Sequence, residues 1–246
     1  MEALLISDLH LTPARPAIAR AFLSFMEETA PKAGQLFILG DFFEYWVGDD
    51  AMEPFHEDIA LALKHYTDAG HKLYIMPGNR DFALGRQFLK KSGAQWLKDP
   101  SLVSINGEKV LLMHGDSLCT EDKQYLLYRK IIRNPLVMGL LRLTPLSYRK
   151  KLGRKIRENS LKSKVHKTRE IMDVTPAEVS RVIEKFRVKT LIHGHTHRPA
   201  IHDVPLANLT TAKRYVLGDW ETHGWMISTE DNQLLLESFK IPASTR

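Results

Sequence analysis

A-L-L-I-S-D-L-H (Ala3–His10) decides how this chain folds. Four apolar residues make a short buried strand. A carboxylate and an imidazole follow at Asp8 and His10. Reading outward, the arrangement recurs. L-F-I-L-G-D runs into Asp41, V-L-L-M-H into His114, and L-I-H-G-H-T-H into His195 and His197. Asn79 follows the apolar run Leu73–Met76 through a Pro-Gly turn. Donors at the ends of neighbouring strands converge on one edge of a sheet, where open α/β sheets place their sites. This set can hold two metal ions, which implies hydrolysis of a phosphate ester or anhydride. Asp8 and His10, two residues apart, would be separated by about 7 Å along an extended strand, so both reach one point only if the strand yields to a loop there.

The donors are carboxylate and amide oxygens and imidazole nitrogens. Such a mixture suits Mn²⁺, Fe²⁺ or Zn²⁺ better than Mg²⁺ or Ca²⁺, and no thiolate favours zinc. Two divalent ions are expected, with Mn²⁺ the expected metal. Asp41 has two oxygens and can bridge them. A single Asp-x-His or Gly-Asp pair carries little weight; five clusters in order, each beside a strand, carry much more.

Strands and helices alternate through the first 116 residues, which predicts an α/β fold. Helices are expected over Ala17–Thr29, Pro54–Ala69 and Phe82–Lys91, and Asn106-Gly107 predicts a two-residue hairpin turn. Strands are expected again over Arg214–Leu217, Gly224–Ser228 and Gln233–Phe239, after a helix at Pro176–Phe186. Between Asp122 and Val174 the strand signal vanishes, and Pro135 and Pro145 divide the stretch into short helices. Residues 122–174 are expected to be a helical lid inserted into a core of 1–121 and 175–246.

Apolar residues make up 43% of the 246-residue chain, ordinary for a globular protein. Its one cysteine, Cys119, rules out an internal disulfide and fits a reducing compartment. No base stands near it in sequence, so a buried structural thiol is expected. No signal peptide or membrane-spanning run is read, and a cytoplasmic location is expected. The net charge of +6 is unevenly spread. Arg129 to Arg169 holds 14 Lys and Arg against one acid, Glu158, while the rest of the chain is net acidic.

In this order the clusters resemble the calcineurin-like metallophosphoesterases. That resemblance implies a four-layer α/β/β/α sandwich. It implies one metal held by Asp8, His10, Asp41 and His197, and the other by Asp41, Asn79, His114 and His195, with water activated between them. One departure matters. Most of that family carries a histidine after the motif asparagine, where it can protonate a leaving group; this chain has Arg80. Arginine cannot donate a proton at neutral pH but clamps phosphate oxygens well. The leaving group should then be one that needs no proton, such as a phosphate whose second pKa is about 6. A structural pairing of Arg80 with Asp81 or Asp49 is the alternative.

The flanks G-D-F-F-E-Y-W-V-G-D-D (Gly40–Asp50), G-N-R-D-F (Gly78–Phe82) and H-G-D-S-L-C-T-E-D-K-Q-Y (His114–Tyr125) resemble one group within the family. It acts on a lipid-linked sugar nucleotide in lipid A biosynthesis. The resemblance implies attack of water on the α-phosphorus of UDP-2,3-diacylglucosamine, releasing UMP and 2,3-diacylglucosamine 1-phosphate. It also implies Arg80, His195 and Asn79 as catalytic residues. Asn79, Arg80, Asp122, Ser160, Lys164, Lys167 and His195 are implied to contact substrate. Ser160, Lys164 and Lys167 independently share one helix face by spacing. The segment Leu136–Leu143 is apolar and Tyr148–Arg157 basic, a composition suited to an anionic membrane surface. A peripheral enzyme on the cytoplasmic side of the inner membrane is expected, acting as a monomer and binding no nucleic acid. The competing readings are a soluble nucleotide or nucleic-acid phosphodiesterase of the same fold and a metal-free interaction scaffold. A lid whose aliphatic residues outnumber its aromatics counts against nucleic acid, since single-stranded sites need stacking platforms.

Overall fold

The structure, a computed structural model, describes residues 1–166, 171 and 173–242, with the backbone alone for 159–166. Its first half alternates as the sequence predicts: Ala3–Ile6 (β1), Pro16–Glu28 (α1), Gln35–Leu39 (β2), Pro54–Asp68 (α2), Lys72–Met76 (β3), Arg86–Ser92 (α3) and Gln95–Trp96 (β4). The hairpin Ser101–Ile105 (β5) and Glu108–Met113 (β6) turns through Asn106 and Gly107, both at positive φ. Three helices follow: Lys123–Ile132 (α4), Pro135–Leu143 (α5) and Leu146–His166 (α6). Then come Pro176–Phe186 (α7), Thr190–His193 (β7), Ala200–Pro205 (β8), Thr211–Val216 (β9), His223–Glu230 (β10) and Gln233–Lys240 (β11).

The strands form two sheets, ordered β11-β10-β1-β2-β3-β4 and β5-β6-β7-β9-β8. Alternation along each strand decides what faces what. On β1 and β2, Leu4, Ile6, Leu36 and Ile38 pack against α1, α2 and α3. Ala3, Leu5, Phe37 and Leu39 point the other way and meet Val110, Leu112 and Ile192 of the second sheet. The outer face of that sheet, with Leu111 and Leu191, takes Val179, Val182 and Ile183 of α7. The layers are therefore helix, sheet, sheet, helix. Because β1, β2 and β3 are mutually parallel, and β6 and β7 likewise, the carboxyl ends within each group share one edge.

Some expectations need correction. The sequence predicts a third helix from Phe82, but the helix starts at Arg86. Asp49, remote in sequence, accepts hydrogen bonds from the amides of Gly85, Gln87 and Phe88 at 2.9, 2.8 and 3.3 Å, and so supplies the helix start. The helix after Pro145 is long rather than short, at 21 residues. Strand β8 has no clear apolar alternation and was not foreseen. It is held by antiparallel pairing to β9 at the sheet edge.

The three inserted helices are tied to the core by charge. Arg149, only 4% exposed, donates to Val47 O at 2.8 Å and forms a forked pair with Asp50. Lys150 reaches Glu53 at 2.9 Å. Gly153 lets α6 pass this loop closely, since a Cβ there would lie 2.8 Å from Val47 Cγ1. Helix α5, by contrast, has no buried residue.

Candidate metal centre

Each of the five clusters leaves the end of a strand, and in three of them the donors' backbone is strained. Asp8, His10, Asp41, His195 and His197 all have positive φ, between 50° and 68°. Non-glycine residues visit this region rarely, and when they cluster the surrounding structure must hold them there. The turn at Asp8 and His10 breaks the extended backbone, and both side chains reach one site. Close approach of the neighbouring loops also demands glycine at position 78, where a Cβ would come within 2.2 Å of Asp41 N. Asp81 fastens the same loops, accepting from the amides of Phe42 and Gly78, both at 2.7 Å.

The donor atoms form two groups. In the first, Asp8, His10 and His197 converge, with His197 Nε2 3.4 Å from both Asp8 Oδ1 and His10 Nε2. In the second, Asp41, His114 and His195 converge, and Asn79 Oδ1 lies 2.9 Å from both His114 Nε2 and His195 Nδ1. Asp41 Oδ1 is 3.6 Å from His114 Nε2.

Outer partners set which atom of each ligand is available. Asp8 Oδ2 accepts from Ser7 Oγ at 2.6 Å and His195 N at 2.8 Å, whereas buried Asp8 Oδ1 accepts no hydrogen bond. His114 Nδ1 faces the carbonyl of Leu39 at 2.9 Å and must carry the proton there, which turns the lone pair of Nε2 inward. His197 Nδ1 lies 3.1 Å from Asp219, leaving Nε2 for the site. Burial opposes a charge on His197, but Asp219 and Asp8 prevail and raise its pKa to about 10. Burial pushes His195 down to about 3. Burial works against a charged Asp8 too, yet His197 beside it holds the carboxyl well below the usual range. A buried carboxylate oxygen without a hydrogen-bond donor, and imidazole lone pairs aimed at a common point, fit divalent cations of borderline softness.

Arg80 stands over this centre. Its Nη1 donates to Glu44 Oε1 at 3.1 Å, and its Nε lies 3.7 Å from Asp41 Oδ2 without a hydrogen bond. Pairing with Asp81 or Asp49 is not what occurs, since both of those carboxylates are taken by backbone amides. Glu44 also meets Arg157 of α6 and lies 3.7 Å from His10 Nδ1. A cavity of about 530 Å³ opens from Asp41, Asn79, Arg80, His195 and His197 and runs beneath α4 and α6, past Val47, Phe82, Tyr128, Leu152 and Ile156.

Among the residues expected to contact substrate, Asn79, Arg80, Asp122 and His195 line this cavity. Asp122 also caps α4, accepting from Tyr125 N at 3.1 Å. Lys167 and the side chains of Ser160 and Lys164 lie outside the described residues. Tyr125 lines the cavity with its ring 6.2 Å from that of His195, and its hydroxyl donates to Asp116. Cys119 is buried, and burial pushes its thiol up to about 12, which suits a structural role. Sequence reasoning passed over Glu44, Asp219 and Arg157. Glu44 lies inside the flank G-D-F-F-E, a signal that could have been used.

A dinuclear metallophosphoesterase is the class that this sandwich edge and donor set define. Residues 1–199 match the calcineurin-like phosphoesterase family model, and the chain belongs to that family. Among its relatives is a UDP-2,3-diacylglucosamine hydrolase of Pseudomonas syringae pv. tomato, 51% identical over 98% of this chain and 97% of its own. A protein of the same name from Pseudomonas fluorescens SBW25 is 52% identical over 96% of this chain and 94% of its own. Another from Stutzerimonas stutzeri is 52% identical over 93% and 95%.

Proposed function

We propose that the protein hydrolyses the diphosphate of UDP-2,3-diacylglucosamine, releasing UMP and 2,3-diacylglucosamine 1-phosphate, as a step of lipid A biosynthesis. Relatives of that name at about half identity over nearly the whole chain support the substrate. The observation that carries the reading is the cavity, which joins the convergent donors to an apolar space under the inserted helices. A lipid-linked phosphate needs that combination, whereas a dinucleotide has no use for the apolar part.

Asp8, His10, Asp41 and His197 would hold one divalent ion, and Asp41, Asn79, His114 and His195 the other, with Asp41 shared and Mn²⁺ the metal. Bound there, the pair would acidify a water and offset charge on the phosphate. Arg80 holds the diphosphate oxygens and is no acid, so the departing sugar phosphate leaves as an anion. Asn79 and His195 orient the α-phosphate beside it. Asp122, Ser160, Lys164 and Lys167 contact the rest of the substrate from the lid, residues 122–174, against a core of 1–121 and 175–246. The lid's exposed apolar residues and free lysines and arginines rest on an anionic membrane at the cytoplasmic face of the inner membrane. The enzyme works there as a monomer, without nucleic acid. No helix of the described residues is long and apolar enough to cross a membrane.

Hydrolysis in ¹⁸O-water tests this. Label should appear in UMP. Label in the sugar phosphate, or cleavage of a dinucleotide in preference to the lipid, would count against the reading.

A further inference from the structure

Arg129 and Arg133 belong to the basic run of the insertion, yet both turn inward. With Tyr125 they recur every fourth residue along α4 and its C-terminal cap, Arg133, and so share a face. That face meets two core carboxylates, Asp99 and Asp116, whose side chains are 1% and 0% exposed. Arg129 donates from Nη2 to Asp99 Oδ2 at 2.7 Å and from Nε to Asp116 Oδ2 at 2.8 Å. Arg133 donates from Nη1 to Asp99 Oδ2 at 3.3 Å, and its Nη2 is 3.5 Å from Asp116 Oδ2. Arg133 differs in one respect. Its Nη2 also donates to the carbonyls of Pro77 at 3.3 Å and Gly78 at 3.2 Å.

Those two carbonyls belong to the turn that delivers Asn79. On the other side, Asp99 Oδ1 accepts from His114 N at 3.4 Å. One guanidinium thus touches the Asn79 turn and, through Asp99, the backbone of His114. We propose that Arg133 is a positioning residue for the second donor group. It fixes Asn79 Oδ1 against His114 Nε2, and so links the seating of the helical insertion to assembly of the Asp41–Asn79–His114–His195 site. The inference rests on the two-cation reading above. A planar guanidinium can serve carboxylate and carbonyls together; an ammonium cannot hold the same spread. Arg129 pairs with the same carboxylates but reaches neither carbonyl, so it provides an internal control.

The test is calorimetric titration of Mn²⁺ into metal-free wild type, Arg133→Lys and Arg129→Lys, without substrate. Loss of an outer partner costs about 10-fold or more in metal affinity. Arg133→Lys should weaken one of the two equivalents by about that factor and spare the other, while Arg129→Lys should leave both within about 2-fold. If a lysine variant fails to fold, the pair Arg133→Gln and Arg129→Gln carries the same comparison. Equal effects at the two positions, or both equivalents unchanged in the Arg133 variant, would overturn the proposal. Wild type binding fewer than two ions would instead remove the two-cation reading beneath it.

Discussion

The donor edge and the inserted helices use burial in opposite ways. At the edge, Asp8, His10, Asp41 and His114 are all buried, the first three on backbones at positive φ. In α5, Leu136 is 79% and Leu143 83% exposed. A buried, over-determined edge fixes donor atoms before a ligand arrives. An apolar helix left in water awaits a partner that replaces the water. Chemistry should therefore be lost by changing the edge, whereas substrate and surface preference should be lost by changing the insertion.

The largest effect is expected at Asp41. Asp41→Ala removes the shared carboxylate, and turnover should fall by several orders of magnitude with at least one ion lost per chain. Metal content and turnover, measured together, check this; two retained ions with a near-normal rate would dismiss the shared role. Arg80→Ala should cost roughly 3–4 kcal/mol of transition-state stabilisation, comparable to losing a preorganised oxyanion donor. Arg80→Lys should recover only part, because the fork is lost. Full activity in Arg80→Ala, read as kcat/KM, would break the clamp assignment.

The insertion gives smaller effects. UDP-glucosamine without acyl chains should be cleaved less efficiently than the lipid, since remote binding energy supports positioning at phosphorus. Equal kcat/KM for the two substrates would mean that the apolar cavity has no part in recognition. Next, Lys151, Arg154 and Lys155 are exposed on α6. Each basic residue near an anionic surface contributes about 1 kcal/mol. Replacing all three with glutamate should weaken binding to anionic vesicles in a salt-sensitive way. Arg149→Glu should act differently and loosen the insertion itself, because its partner is Asp50. Vesicle binding unchanged in the triple variant would remove the membrane contact.

A proton effect on metal binding comes last. With a pKa near 10, His197 is protonated at pH 7 in the metal-free protein and must lose that proton to ligate. Metal binding should release protons, and apparent affinity should rise as pH approaches 10. Calorimetry in buffers of different ionisation enthalpy reads the release, and affinity independent of pH would contradict the assignment.

The seven candidate donors were legible as a set because each follows a strand that apolar runs reveal. What was not legible is what arrives from far along the chain. Asp49 starting α3, Asp219 behind His197 and Glu44 between Arg80 and Arg157 are contacts that local pattern does not encode. The basic run misled in part for the same reason. Charge counting read it as one surface, but Arg129, Arg133, Arg149 and Arg157 each point to a core acid. Helix spacing in Tyr125, Arg129 and Arg133 marks an inward face only once the buried carboxylates opposite are known.

The central claim is that one edge binds two cations through a shared Asp41. Anomalous diffraction from crystals grown with Mn²⁺ tests it most directly. Two peaks are predicted, about 3.5–4 Å apart as in two-metal hydrolytic sites, one beside Asp8, His10 and His197 and the other beside Asn79, His114 and His195, with Asp41 touching both. A single peak, or two peaks of which Asp41 touches only one, would contradict it.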